Sequence, residues 1–174
     1  LVLLGEDGQV KIAYRGTKVE NPSDLLSDAG ILAGQEGRTP QYRSAEGQLA
    51  RVTETYGEPT ELIGYSLGGN KALYFGMRNG ISTTSFNPFL GKNLLFSTDP
   101  TGEATHEVFR TTEDFASFGV GLAKAKKNFL VRSVHPHQDK INPVEAHELE
   151  NFSELSSRRP GFTEQLLASV EAQG

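Results

Sequence analysis

The sequence has no cysteine, no tryptophan and a single methionine, and only four of its 174 residues are histidine. The lack of cysteine excludes disulfide bonds, thiolate nucleophiles and metal sites built on cysteine ligands. The one close histidine pair, His135 and His137, is separated by a proline, a spacing more typical of an exposed loop than of a metal site. We therefore expect a protein that needs neither a metal nor another cofactor.

Long apolar runs and basic runs are also missing. Nothing in the sequence approaches the roughly 20 apolar residues of a membrane-spanning helix, so we expect no integral membrane segment. The net charge of −5, without a basic cluster, argues against nucleic acid as the main partner. A length of 174 residues predicts one domain, residues 1–174. Because the first residue is leucine and no signal peptide is recognisable, we expect a processed product or part of a longer polypeptide.

Short apolar strands alternate with helical patterns along the chain. The strands are predicted at residues 1–5, 10–14, 61–63, 83–86, 106–110 and 129–132. Helices are predicted after Asn21-Pro22, after Thr39-Pro40, after Ser66 as far as Gly80, and over about 163–172. The second of these is the clearest, with Tyr42, Ala45, Leu49, Val52 and Tyr56 on one face and Gly57 at its end. The alternation predicts an α/β fold, a layered, mostly parallel sheet flanked by helices.

The segment Gly64-Tyr65-Ser66-Leu67-Gly68, followed by Gly69, carries the strongest functional signal. A strand before it and a helix after it are the context of a nucleophile elbow, the turn that presents the reactive serine of α/β-hydrolases. Such a turn strains the backbone of the serine and requires small neighbours, which Gly64 and Gly68 provide. The alternative is a glycine-rich turn without chemistry. If the serine reacts, the amide of Leu67 is one donor to the negative charge on the substrate oxygen.

The order of several motifs resembles the class 3 (fungal-type) lipase family, and within it the short bacterial and phage relatives. The pieces are Arg15-Gly16-Thr17, the pair Asp24 and Asp28, the helix over residues 40–56, and Gly64 to Gly69. The resemblance implies an α/β-hydrolase-like single domain in which Thr17 is the second oxyanion donor. Tyr65 stands where the family usually has histidine and Asn70 where alanine is commoner. The shortness of the chain argues against a large lid.

A serine nucleophile needs a histidine and a carboxylate, in this fold in the chain order serine, acid, histidine. Asp114 follows a predicted strand and, by the resemblance, lies in the stretch that carries the family's acid. Asp99 precedes Pro100 and is more typical of a turn. Glu113 is a third alternative.

The four histidines are His106, His135, His137 and His147. His106 precedes the acid and lies in a predicted strand, which breaks the expected order. His135 and His137 follow the strand over residues 129–132 and stay open as alternatives. His147 opens a segment similar to the late His-x-Leu-x-x-Phe/Trp segment of the bacterial and phage relatives, and we prefer it as the base.

The sequence thus predicts a carboxylic ester hydrolase, of the lipase or esterase kind, with the catalytic residues Ser66, Asp114 and His147. Thr17 and Leu67 would form the oxyanion hole. The resemblance implies a lipid-type ester substrate, with phospholipase A1-like action included and contact with a membrane surface as a possible consequence. An acyl chain would lie along Phe86, Phe89, Leu90, Leu94 and Leu95, unless these residues belong to the core. The alternative function is a catalytically decayed hydrolase fold that serves as a structural or binding module of a larger assembly.

Overall fold

The computed structural model describes residues 1–16, 39–91, 94, 101–112, 114, 128–134, 152, 165, 171 and 172. Within these residues, six strands form one sheet whose spatial order follows the chain. The strands are β1 (Val2–Leu4), β2 (Val10–Tyr14), β3 (Glu61–Tyr65), β4 (Ser82–Phe86), β5 (His106–Thr111) and β6 (Phe129–Val134). Strand β1 runs antiparallel to β2, and all neighbours from β2 to β6 are parallel. The predicted mostly parallel sheet is confirmed.

The register brings the carboxyl ends of the parallel strands to one edge of the sheet. Gly64 of β3 lies opposite Tyr14 of β2 and Ser85 of β4, and Thr111 of β5 lies opposite Val134 of β6. In open α/β sheets, ligands bind outside this edge, because the loops that follow the strands converge there. The residues after β2, β3, β4 and β5 are therefore those that can meet in one site.

Helix α1 (Pro40–Tyr56) begins and ends as the sequence predicts. The hydroxyl of its N-cap residue, Thr39, accepts a hydrogen bond from the amide of Tyr42, and proline occupies the first turn. Gly57 follows its last residue. Four of the five residues predicted on its buried face are buried, whereas Tyr56 is 52% exposed. Tyr56 is the last residue of the helix, where fewer neighbouring side chains can cover it.

Helix α2 (Leu67–Asn79) is buried along most of its length, from Leu67 to Met77. It begins directly after Ser66 and ends at Gly80, whose left-handed φ of 70° closes the last turn. It contacts β2, β3, β4 and β5. The central position of this helix fixes the residue that precedes it against the middle of the sheet.

Apolar side chains cover both faces of the sheet. One cluster joins α1 and α2 to the sheet and includes Ile12 and Leu62. On the other face, Ile63, Phe86, Phe109 and Phe152 pack together. Because consecutive strand residues point to opposite faces, neighbours such as Leu62 and Ile63 enter different clusters. The sheet is thus an inner layer, as expected for an α/β fold.

His106 lies at the amino end of β5, at the edge of the sheet opposite to the carboxyl ends of the strands. Its side chain is fully buried, its Nδ1 lies 3.1 Å from Oγ1 of Thr83, and its Nε2 has no hydrogen-bond partner in the described part of the chain. Burial lowers the pKa of His106 to about 4. The histidine is therefore a neutral core residue, as its position in a strand predicts.

We expect the free energy of unfolding to fall in mild acid because of His106. Its pKa is lower in the folded than in the unfolded chain, so the unfolded chain takes up the proton first as the pH decreases. The effect of His106 on the free energy of unfolding is constant above pH 6.5. Between pH 6.5 and 4 this free energy decreases, and below that range it is lower by roughly 3 kcal/mol. Urea unfolding at several pH values should show this slope, and His106→Asn should flatten it. An unchanged slope in His106→Asn would refute this assignment.

Candidate active site

Ser66 occupies the turn between β3 and α2 in a strained backbone conformation. Its φ of 54° and ψ of −121° lie in a region that residues other than glycine rarely adopt. Its amide donates to the carbonyl of Phe86 (3.0 Å), and its own carbonyl accepts from the amides of Asn70 and Phe89. The predicted strand, serine turn and helix are confirmed as structure.

The glycines on either side of Ser66 are required by close backbone contacts. A Cβ atom on Gly64 would lie 2.2 Å from the carbonyl carbon and oxygen of Gly68. A Cβ atom on Gly68 would lie 2.2 Å from the carbonyl oxygen of Tyr14 and 2.9 Å from the amide nitrogen of Gly16. Gly68 therefore allows the loop after β2 to touch the first turn of α2, while Gly64 allows α2 to begin directly against β3.

The first turn of α2 supplies backbone N–H groups beside Ser66. The amide of Leu67 is the first of the helix, and helix geometry gives it no acceptor within the helix. The hydroxyl of Ser66 makes no capping hydrogen bond to this turn, and the whole residue is fully buried. Together, an amide at the helix start and the positive end of the helix dipole favour negative charge at this point.

The loop after β2 is held against α2 by a lysine. The Nζ of Lys71 donates a hydrogen bond of 3.0 Å to the carbonyl oxygen of Arg15. Lys71 is only 8% exposed. Arg15 and Gly16 thereby lie next to the elbow, as the Arg15-Gly16-Thr17 motif predicts, whereas Thr17 itself lies outside the described residues.

The segment after β4 connects the elbow to the end of β5. Phe86 and Phe89 bond to the backbone of Ser66 on one side. On the other side, the amide of Asn87 donates to the carbonyl of Phe109 (2.8 Å), and its side-chain oxygen accepts from the amide of Thr111 (2.8 Å). Asn87 is fully buried, with a left-handed φ of 40°. This asparagine therefore fixes the end of β5 relative to Ser66.

Asp114 lies just after β5, at the same edge of the sheet as Ser66. It is buried, and its amide lies 3.4 Å from the carbonyl oxygen of Thr111, to which it donates. One strand, β4, separates β3 from β5, a span of roughly 10 Å at the usual strand spacing. The structure thus brings Asp114 to the edge that carries Ser66. The alternative acids, Asp99 and Glu113, lie outside the described residues.

The histidines predicted as candidates for the base, His135, His137 and His147, also lie outside the described residues. The described residues that flank them in the sequence are Val134 and Phe152. Val134 is the last residue of β6, and its carbonyl accepts from the amide of Thr112 (3.0 Å). Phe152 is fully buried, with its ring 5.4 Å from that of Phe86. Val134 and Phe152, which flank these histidines in the sequence, therefore both lie against the sheet.

Two buried asparagines of this site were not singled out from the sequence as functional. Asn70 accepts a hydrogen bond from the hydroxyl of Tyr42 and donates one of 2.6 Å to the carbonyl of Phe89. It thus joins α1, α2 and the segment after β4. The available signal was an asparagine in an apolar helix, at a position where the resembling family commonly has alanine. Asn87, directly before a proline at a strand end, gave a weaker signal.

Most of the apolar residues considered for an acyl chain belong to the core. Phe86, Leu90 and Leu94 are buried in the two apolar clusters, and Phe89 is partly buried against one of them. Of the two alternatives that the sequence left open for these three residues, an acyl site or the core, the structure supports the core. Leu95 lies outside the described residues.

The described part of the chain offers neither a metal-binding cluster nor a membrane-spanning helix. No three of their histidine, aspartate and glutamate side chains cluster in a way that could hold a metal ion. Neither α1 nor α2 combines the length and the apolar character that a membrane span requires.

Comparison with known proteins gives similarity at the level of the fold. No family model and no curated protein matches the chain. The crystal structure of the esterase domain of a Rhodothermus marinus protein is similar, with a TM-score of 0.50, 10% identity, and coverage of 91% of this chain and 94% of that one. An α/β serine hydrolase homologue from Coxiella burnetii has a TM-score of 0.45 and 12% identity, over 76% and 86% of the two chains. Membership of the class 3 lipase family stays a prediction. The chain has an α/β-hydrolase-like fold.

Proposed function

We propose that this protein is a serine ester hydrolase that forms an acyl-enzyme on Ser66. The observation that carries the proposal is the backbone of Ser66, with φ 54° and ψ −121° at the carboxyl edge of a parallel sheet. Glycine would adopt these angles at little cost, and the chain has glycine at positions 64, 68 and 69. A nucleophile elbow requires a serine in a strained conformation between glycines. A simple turn has no need to place serine, rather than glycine, at such a position.

The second support is the convergence of loops around this serine. The loop after β2 touches the first turn of α2 at Gly68. The segment after β4 bonds to the backbone of Ser66 and also to Thr111, three residues before Asp114. An oxyanion loop, a nucleophile and an acid occupy these positions relative to one another in a serine hydrolase site. The esterase domain similar in fold to this chain fits the same reaction class.

In the proposed reaction, Oγ of Ser66 attacks the carbonyl carbon of the ester while a histidine takes the hydroxyl proton. The negative charge on the substrate oxygen is stabilised by the amide of Leu67 and by Thr17, which follows Gly16 directly. The histidine returns the proton to the departing alcohol. Water then attacks the acyl-enzyme with the same histidine as base, and Ser66 recovers its proton.

We assign His147 as this base and Asp114 as the acid that orients it. A gap of roughly 10 Å between the strands that carry Ser66 and Asp114 can be bridged by one imidazole ring bonded at both nitrogens. Phe152, five residues after His147, packs on Phe86, whose carbonyl accepts from Ser66. The proximity of Phe152 to the elbow and the similarity of the His147 segment to the resembling family support His147 over His135 and His137. Those two come soon after β6 in the sequence and stay as alternatives.

For the substrate we propose a lipid-type carboxylic ester, as the resemblance to class 3 lipases implies. The triad needs no metal or other cofactor for this reaction, because histidine and the oxyanion donors supply the proton transfer and the charge stabilisation.

We expect His147→Ala to lower kcat for 4-nitrophenyl butyrate as severely as loss of the nucleophile does, by about 10⁴-fold or more. The Ser66→Ala/His147→Ala double variant should be barely worse than either single variant, because the members of one catalytic unit are not additive. Initial rates at saturating substrate, with circular dichroism to verify folding, provide the measurement.

His135→Ala and His137→Ala are the matched controls and should keep most of the activity. An inactive His137→Ala or His135→Ala beside an active His147→Ala would move the base to that residue. If all three variants retained full activity, the proposed reaction at Ser66 would be refuted.

A further inference from the structure

A groove opens beside the elbow on the side of the loop after β2. It has a volume of about 470 Å³, within the range of small-molecule sites. It is lined by Arg15, Gly16, Pro40, Gln41, Ser44 and Lys71. These residues come from three elements: the loop after β2, the first turns of α1, and α2. The groove therefore lies where three elements around the candidate site meet.

The groove is adjacent to the proposed oxyanion hole. Lys71 follows Leu67 by four residues on α2, which places it about 6 Å further along the same face of the helix. Arg15 and Gly16 contact Gly68, the residue after Leu67, so closely that a Cβ atom there would collide with them. A substituent that extends from an ester bound at Ser66 past Leu67 would therefore enter this groove.

The described lining residues of the groove carry positive charge. The six described lining residues include two cations, Arg15 and Lys71, and no carboxylate. The first turn of α1 contributes no acidic residue, although the chain as a whole carries a net charge of −5. Arg15 is exposed, while the aliphatic stem of Lys71 is buried with its Nζ at the carbonyl of Arg15.

Two cations with different degrees of burial suit one anionic group. The arginine presents a planar set of donors toward solvent, which matches phosphate or carboxylate oxygens. The charge of Lys71 acts from a less hydrated position, where attraction to an anion is stronger than in bulk water. The hydroxyl of Ser44 and the amide of the Gln41 side chain add neutral hydrogen-bonding groups to the same lining.

We propose that this groove binds an anionic substituent, a phosphate or a carboxylate, of the substrate ester. The preferred substrate is then an anionic ester rather than a neutral one of the same size. This inference rests on the proposed hydrolysis at Ser66 and specifies its substrate class. The anion can belong to a lipid headgroup or to a soluble ester, and the two sources are separated by the choice of substrate pairs.

The test compares kcat/KM for two matched pairs of esters that differ by one anionic group. The soluble pair is mono-4-nitrophenyl glutarate and 4-nitrophenyl valerate. The lipid pair is dioleoylphosphatidic acid and dioleoylglycerol in the same neutral detergent micelles. In at least one pair, Arg15→Gln should lower the ratio of anionic to neutral ester about fivefold, and Arg15→Glu should lower it further. Lys71→Gln should lower it about tenfold or more.

Arg51→Gln is the matched control, because it removes an exposed positive charge about 15 Å away along α1. It should leave both ratios unchanged. A response of the lipid pair assigns the groove to a phosphate headgroup, and a response of the soluble pair alone assigns it to a soluble anionic ester. Equal ratios in the wild type and the Arg15 and Lys71 variants would overturn the inference.

Failure of the proposed function is distinguishable from failure of this inference. If the wild type hydrolysed none of the four esters, the reaction at Ser66 would be refuted, and the groove would be tested with inorganic phosphate alone. Titration with phosphate should then shift the amide resonances of Arg15 and Gly16. Arg15→Gln should bind phosphate about fivefold more weakly. Absence of phosphate binding to the wild type would overturn the inference independently of catalysis.

Discussion

Replacing Ser66 with alanine should lower kcat for short 4-nitrophenyl esters by about 10⁴- to 10⁶-fold. The substitution removes the oxygen that attacks the ester and leaves the oxyanion donors and the binding groove in place. Only their residual contribution over the uncatalysed reaction should remain. Steady-state rates of the wild type and the variant, both verified as folded by circular dichroism, measure the loss.

Ser85→Ala is the matched control for this variant. Ser85 is also a fully buried serine, one strand away on β4, and its hydroxyl donates to the carbonyl of Gly69 (3.1 Å). Its removal should cost about 1 kcal/mol of stability and change the rate by no more than a few-fold. Comparable activity of Ser66→Ala and Ser85→Ala, with both folded, would contradict a nucleophile at position 66.

The second large effect is expected for Gly68→Ala, which should destabilise the protein and remove activity together. The added Cβ atom would lie 2.2 Å from the carbonyl oxygen of Tyr14, so the loop after β2 must move away from α2. Overpacking against backbone costs about 2–3 kcal/mol. The displaced loop carries the proposed oxyanion residue Thr17, so kcat should fall by at least about 100-fold. Urea unfolding and esterase rates measure the two effects.

Gly47→Ala provides a control with the same chemical change in α1. A Cβ atom on Gly47 would meet only the Nη1 atom of Arg51, at 3.4 Å. Alanine is a better helix former than glycine, so this variant should be more stable by about 0.5–1 kcal/mol and keep full activity. Equal effects of Gly68→Ala and Gly47→Ala would show that the loop after β2 does not depend on contact at Gly68.

Much of this architecture could be predicted because local patterns determine it. The cap and proline at Thr39-Pro40 and the glycine at position 57 define α1, and Gly80 ends α2, as observed. The elbow was recognisable because a serine turn between a strand and a helix needs glycine at fixed positions. Those positions, 64 and 68, are where the backbone contacts are closest.

Contacts between elements distant in the sequence could not be predicted in the same way. Lys71 looks like a solvated helix residue in the sequence, yet its Nζ bonds to the carbonyl of Arg15 in another element. The role of Asn87 depends on the register between β4 and β5, which places it beside Thr111. Phe86, Leu90 and Leu94 are apolar whether they line a site or fill the core, so sequence alone left both possibilities open.

The central claim is that Ser66 is a nucleophile activated for attack on esters. The most direct test is to treat the protein with a fluorophosphonate and identify the modified residue by peptide mass spectrometry. We predict a single adduct on Ser66, formed in proportion to the loss of esterase activity and absent from Ser66→Ala. A folded protein that hydrolyses esters but carries its adduct on another residue, or that forms none at Ser66, would contradict the account.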